Sequence, residues 1–218
     1  MEDGTPLRER LVDVGVEIVA TEGIAALGLR EIARRTGVSH GAPRRYFPTH
    51  RSLISAIAGR GFDALKDRLG TCLGPDGDPR AQVCLLAEAY VGFAVEHRPM
   101  FELMFRHDLL DSGDEADGRS RLREKTLPLF ASLVALIARH RQTAARPPVT
   151  GSGPAPDVVA AALWANLHGV AQLWSWGSLS LTLDASSPGD PHAHEVLAQL
   201  IARTVDAHLG PVNPCPRP

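Results

Sequence analysis

Cysteine is scarce in this chain. Cys72, Cys84 and Cys215 are the whole supply, too few and too scattered for a disulfide framework or a zinc site, so a reducing, cytoplasmic setting is expected. No secretory leader is expected either, since Met-Glu-Asp-Gly-Thr has neither a basic n-region nor an apolar h-region. No run approaches the roughly 20 apolar residues that span a bilayer, and no membrane partner is expected. Period-two strand patterns and internal repeats are absent. So are a nucleophile elbow, a phosphate-cradling glycine loop and a His-Glu-x-x-His motif, which leaves no candidate catalytic residue, metal ligand or cofactor. The pair His192 and His194 lacks a third ligand at helical spacing and reads as a solvated helix start. Asp108, Asp111, Asp114, Glu115 and Asp117 read as a solvated acidic loop.

What is present suits an ordinary globular protein. Of 218 residues, 44% are hydrophobic and 22% charged, enough apolar material for one large or two smaller cores. The net charge is −2, but it is unevenly spread. Between Leu29 and Gly61 seven arginines (30, 34, 35, 44, 45, 51 and 60) face one acid, Glu31, a local +6 that leaves −8 on the remainder. A basic block inside an acidic chain is the footprint of an element that meets nucleic acid.

Apolar spacing predicts an all-α fold. Leu7, Leu11, Val14 and Ile18 share one helical face over about 6–23. A second helix is expected over 29–36, ending at Gly37. A third, short one, capped by Ser39, runs to about Phe47 and is stopped by Pro48; a fourth begins near Thr49 or Arg51. The turn-rich stretch 70–78 separates an N-terminal domain, 1–70, from a larger one, 71–218. Helices are expected there over 79–97, 99–110, 119–141, 157–182 and 191–209, with a Pro/Gly/Ala-rich linker at 142–156 and a non-helical tail from Gly210.

Two helices joined by a tight glycine turn make a helix-turn-helix, whose second helix enters the major groove. Here the segment is Leu29–Phe47. Ile32, Ala33, Val38 and Phe47 pin the pair together, and Ser39, His40, Gly41, Ala42, Arg44 and Arg45 face outward.

The register Ile32-Ala33, Gly37-Val38-Ser39, Gly41, Tyr46-Phe47 and Leu53, preceded by Thr21-Glu22-Gly23, resembles the N-terminal signature of the tetracycline-repressor (TetR) family over about residues 7–65. That resemblance implies a three-helix DNA-binding head. Arg30 would contact DNA from the start of the scaffold helix, and His40 and Ala42 would read bases beside Ser39. The chain departs from the pattern in places. Arg44 stands where a phosphate-binding tyrosine is usual, Pro43 where leucine is, Tyr46 where histidine is, and His50 where lysine is. Arg44 suits either a phosphate or a guanine.

In the larger domain, the helices about 157–182 and 191–209 are apolar on wide faces, through residues such as Val159, Leu163, Leu167, Ile201 and Val205. They fit either one monomer's core or an intermolecular four-helix bundle. Pairing is favoured because a single short recognition helix reads few base pairs, and two-fold symmetry matches a palindromic operator in double-stranded DNA. Trp164, His168, Gln172 and Trp176 recur every four residues, and Trp164 to Gly169 is similar to the Trp-His-Gly motif of one C-terminal subgroup of the family. Phe101, Met104, Phe105 and His107 lie on a helix able to face that ridge, suggesting an apolar pocket with polar anchors for a small-molecule inducer. The readings in play are a homodimeric, ligand-responsive repressor, a helical-bundle enzyme, and a helical interaction protein without DNA affinity. Only the first accounts for the basic block.

Overall fold

The computed structural model describes residues 6–74, 77–110, 116–143, 153–185 and 190–211. Most of the linker 142–156, the acids Asp111, Asp114 and Glu115, the first five residues and the tail with Cys215 lie outside them, as do the side chains of His107 and Asp117. The described residues contain no strand. In chain order the helices are α1 (Leu7–Glu22), α2 (Leu29–Thr36), α3 (His50–Gly70), α4 (Pro79–Glu96), α5 (Arg98–Met104), α6 (His107–Leu110), α7 (Ala116–Thr143), α8 (Pro156–Ser175), α9 (Ser178–Thr182) and α10 (Pro191–Leu209). Short 3₁₀ turns cover Ile24–Ala26 and Pro43–Arg45. Two compact units result: Met1–Lys66 with His97–Leu127, and Asp67–Glu96 with Pro128–Pro218. Among the described residues no helix is long and apolar enough to cross a membrane.

In the first unit, α1 buries Leu11, Ile18 and Val19 completely, and α3 does the same with Leu53 and Ile57. The two helices come together at Gly15. A β-carbon there would lie 2.3 Å from Ile57 Cδ1 and 3.6 Å from Ile32 Cδ1, so α1, α2 and α3 converge on a site with room for hydrogen only. Helix α2 ends as its sequence predicts. Gly37 takes the left-handed region (φ 74°, ψ 29°), Val38 N–H bonds the Ala33 carbonyl (3.0 Å), and Gly37 N–H bonds that of Arg34 (3.2 Å). Arg10 donates to the Thr36 carbonyl from α1 (3.0 Å), satisfying one more orphan acceptor.

The expected third helix is not α-helical. Pro43 has no N–H to give the Ser39 carbonyl, which instead accepts from Ala42 (2.9 Å). The segment tightens into a turn followed by the 3₁₀ stretch Pro43–Arg45. Thr49 and Ser52 then cap α3 reciprocally: Thr49 Oγ1 accepts from Ser52 N–H (3.0 Å) and Ser52 Oγ from Thr49 N–H (3.2 Å). The helix expected over 99–110 breaks after Met104 and resumes at His107. Along α3, a β-carbon on Gly61 would strike Met104 Sδ (2.7 Å) and Met100 Cγ (2.9 Å). Phe105 meets Phe62 edge-on (5.7 Å) and Phe101 at 4.9 Å. From α7, Lys125 Nζ bonds the Asp63 carboxylate (2.5 Å) and approaches the Gly59 carbonyl (3.4 Å).

The second unit is built on mutual packing of α4, α8 and α10, with Val83, Val91, Leu163, Leu167, Ile201 and Val205 in its core. Arg80 of α4 pairs with Asp206 of α10, largely enclosed. Asp190 caps α10 by accepting from His192 N–H (2.9 Å). The helix expected over 157–182 is split into α8 and α9, because Gly177 adopts φ 82° and its N–H turns back to the Trp174 carbonyl.

Gly15→Ala should lower stability by about 1–3 kcal/mol, since a methyl group must displace Ile57 in a filled core. Gly70→Ala, with nothing near its added carbon, should be close to neutral. Urea denaturation of the two variants checks the contrast.

Candidate nucleic-acid interface and ligand cluster

The seven arginines of the basic block sort into two sets. Arg34 donates twice to Glu31 (2.9 and 2.6 Å). Arg35 joins Glu31 (2.6 Å) to Glu22 (2.6 Å). Arg60 pairs with Glu9 and lies 3.3 Å from Asp13. Hydrogen bonds from Arg34 and Arg35 hold the Glu31 carboxyl well below its ordinary range, at about 2. Arg30, Arg44, Arg45 and Arg51 are exposed, and none of their side chains has a hydrogen bond or ion pair with another described residue.

Two of the four sit where the backbone is poor in negative charge. Arg30 and Arg51 are the second residues of α2 and α3, at helix starts whose amides lack intrahelical partners. His50 brings the two starts together, with Nε2 3.0 Å from the Leu27 carbonyl oxygen. A carbonyl only accepts, so Nε2 is the donor in this bond. Between these starts, Pro43 and Phe47 are buried while Arg44, Arg45 and Tyr46 are exposed. Ser39, His40 and Gly41 are exposed beside them and Ala42 is half-buried. Arg8 lies over the Phe47 ring, 5.1 Å from its centroid.

In the second unit, Trp164, His168 and Gln172 occupy successive turns of α8, as their four-residue spacing predicts. Tyr90 of α4 joins the first two. Trp164 Nε1–H donates to the Tyr90 oxygen (3.0 Å), which lies 2.9 Å from His168 Nδ1. Burial pushes the Tyr90 phenol well up and the His168 imidazole down, so both are neutral near pH 7. Gln172 Nε2 is 3.5 Å from His168 Nε2, and the Phe130 ring stands 6.5 Å from Trp164. Trp176 follows the last residue of α8 and is 60% exposed. Phe101, Met104 and Phe105 belong to the first unit, packed along α3. Among the described residues no group of His, Cys, Asp or Glu is placed to hold a metal ion. His194 Nδ1 instead lies 3.1 Å from the Asp190 carbonyl oxygen.

Two family models match the chain. Residues 11–57 match that of bacterial regulatory proteins, tetR family, and residues 83–203 that of the tetracyclin repressor-like C-terminal domain. The chain belongs to the TetR family. It is a regulatory protein, not an enzyme. Solved structures agree on the fold. A protein of unknown function from Rhodococcus sp. RHA1 is 24% identical, with a TM-score of 0.72 over 95% of this chain and 96% of that one. FadR of Thermus thermophilus, a TetR-family repressor in complex with lauroyl-CoA, is 18% identical, at 0.62 over 97% and 98%. AibR, in complex with isovaleryl coenzyme A and operator DNA, is 12% identical, at 0.63 over 95% and 100%. A search of curated proteins returned no match.

Tyr90 is the cluster member that sequence reasoning overlooks in this TetR-family regulator. Its only signal is a lone tyrosine on an otherwise apolar stretch of α4, where a buried hydroxyl needs a partner.

Tyr90→Phe should cost about 1–2 kcal/mol, since it deletes the hydroxyl joining Trp164 to His168; chemical denaturation measures it. A second expectation concerns pH. The Glu31 carboxyl titrates lower in the folded chain than in the unfolded one, so its contribution is complete above the ordinary value of 4.5 and is lost as pH falls towards about 2. Glu31→Gln should flatten that part of the thermal-midpoint profile and leave the neutral region parallel to wild type.

Proposed function

We propose that this TetR-family chain is a cytoplasmic, homodimeric repressor that leaves a palindromic operator when a small-molecule inducer binds. In this reading residues 1–70 meet DNA, while 71–218 bind the ligand and the second protomer. The observation that carries the proposal is the sorting of the arginines. Three are neutralised by acids within the head, while Arg30, Arg44, Arg45 and Arg51 stay exposed at two helix starts and the turn between them. Around them Ser39, His40, Gly41, Ala42, Tyr46 and His50 complete the DNA-facing surface, with Nδ1 of His50 on the side away from Leu27.

Pairing through the helices about 157–182 and 191–209 is supported by large apolar side chains left in water on α8, on α9 and at the junction between them. Val158 is 56% exposed, Trp176 60% and Leu181 76%. A patch of this kind marks an interaction surface. Two protomers then present two reading turns to two half-sites. Trp164, His168, Gln172 and Tyr90 form a neutral polar group among aromatic rings, suited to orienting an uncharged part of a ligand. The same fold accommodates an acyl-CoA in FadR and AibR. Release requires only that the ligand favour one disposition of α3, which begins in the head and continues into the second unit.

A gel-shift titration of the full chain on DNA upstream of its own gene, at two salt concentrations, tests this. A discrete complex with two protomers on one short palindrome is expected, and log affinity should fall by about 0.9 per phosphate contact for each tenfold rise in salt. Failure to bind specifically there or to any duplex of a random pool would refute the repressor reading.

A further inference from the structure

The reading turn assigns a base preference that its family membership does not. Pro43 is buried, and Phe47, whose N–H bonds the Pro43 carbonyl (2.8 Å), is buried behind it. The stretch between them is therefore pinned at both ends. In a 3₁₀ turn successive residues step about 120° around the axis. With Pro43 facing the core, Arg44 and Arg45 fall on either side of the direction facing directly away from it. Both side chains are exposed and neither is paired with a described residue. The reason lies in the sequence, which has no acid between Glu31 and Asp63. Arg34 and Arg35, by contrast, have Glu31 one helical turn away and are held by it.

Arg30 and Arg51 differ in setting. Each stands at the start of a helix, beside orphan amides that already favour a phosphate. The His50–Leu27 bond sets those starts side by side. Phosphate neutralisation falls to these two residues, and the turn between them remains for the bases. A guanidinium presents a rigid fork of donors and no acceptor. Guanine matches it with O6 and N7 on the major-groove edge, whereas adenine places an N6 donor against it.

Resting on the DNA-binding reading above, we propose that Arg44 and Arg45 are the specificity-determining pair. Each forks onto O6 and N7 of a guanine, so that each operator half-site contains two G·C pairs.

Selection from random duplexes with the full-length wild type, Arg44→Ala, Arg45→Ala and Arg51→Ala tests this. Wild type should enrich half-sites with two fixed guanines. Arg44→Ala should lose the preference at one of them and Arg45→Ala at the other, while Arg51→Ala binds more weakly without changing either. Replacing one fixed guanine by 7-deazaguanine, which lacks the N7 acceptor, should weaken wild type on the order of ten- to hundredfold. The arginine variant for that position should be indifferent to the replacement. An enriched site whose preferences survive both arginine variants, or that tolerates 7-deazaguanine, would overturn the assignment and leave DNA binding intact. If no duplex is enriched, the repressor reading falls and this assignment with it.

Discussion

Helix α1 can lie where it does only because Gly15 has no side chain. Ile57 fills the space a β-carbon would take, and Ile32 closes the same gap from α2. Three helices thus share one contact, which fixes their mutual crossing in the head. Where α2 starts and where α3 starts follow from that crossing, and the His50–Leu27 bond records the result. The exposed arginines inherit their positions from packing that involves none of them. Close-packed cores transmit such placements because they have few alternative arrangements.

Charge in the head is arranged by subtraction. A run of arginines on neighbouring surfaces repels itself, and every acid able to relieve it also removes a cation from the surface that needs one. Glu31, Glu22, Glu9 and Asp13 relieve Arg34, Arg35 and Arg60, all on flanks of the three-helix cluster. The turn Pro43–Arg45 lies outside the reach of any of them. A chain of net charge −2 can in this way carry an exposed cationic face.

Periodicity was a good guide wherever one helical face is buried and the other wet. It placed α1, α2, α4 and α10 to within a residue or so, because local preference and tertiary packing agree there, and α2 stopped at Gly37 as expected. It failed where one residue's backbone chemistry overrides the apolar pattern. Pro43 removed an amide and replaced a helix by a 3₁₀ turn, although Pro43 was recognised as a departure. Gly177 cut a continuous apolar stretch into α8 and α9. In the ligand cluster, the four-residue spacing of Trp164, His168 and Gln172 was visible because it lies within one helix. Tyr90 was invisible because its partners are more than 70 residues away, a separation no local pattern encodes. The packing of Phe101, Met104 and Phe105 along α3 is a tertiary choice of the same sort.

The bond from Lys125 to Asp63 and towards the Gly59 carbonyl gives α3 something like a detent. Sliding the helix by one residue along its own screw would shift it about 1.5 Å and turn it about 100°. Phe62 or Ala64 would then face the ammonium, and neither side chain can accept from it. Tilting α3 about that point leaves the catch engaged. An ion pair this exposed holds with only about 1 kcal/mol, less than most coupling energies between distant sites. The catch therefore opposes drift along the axis only up to a modest force, a threshold built from one lysine.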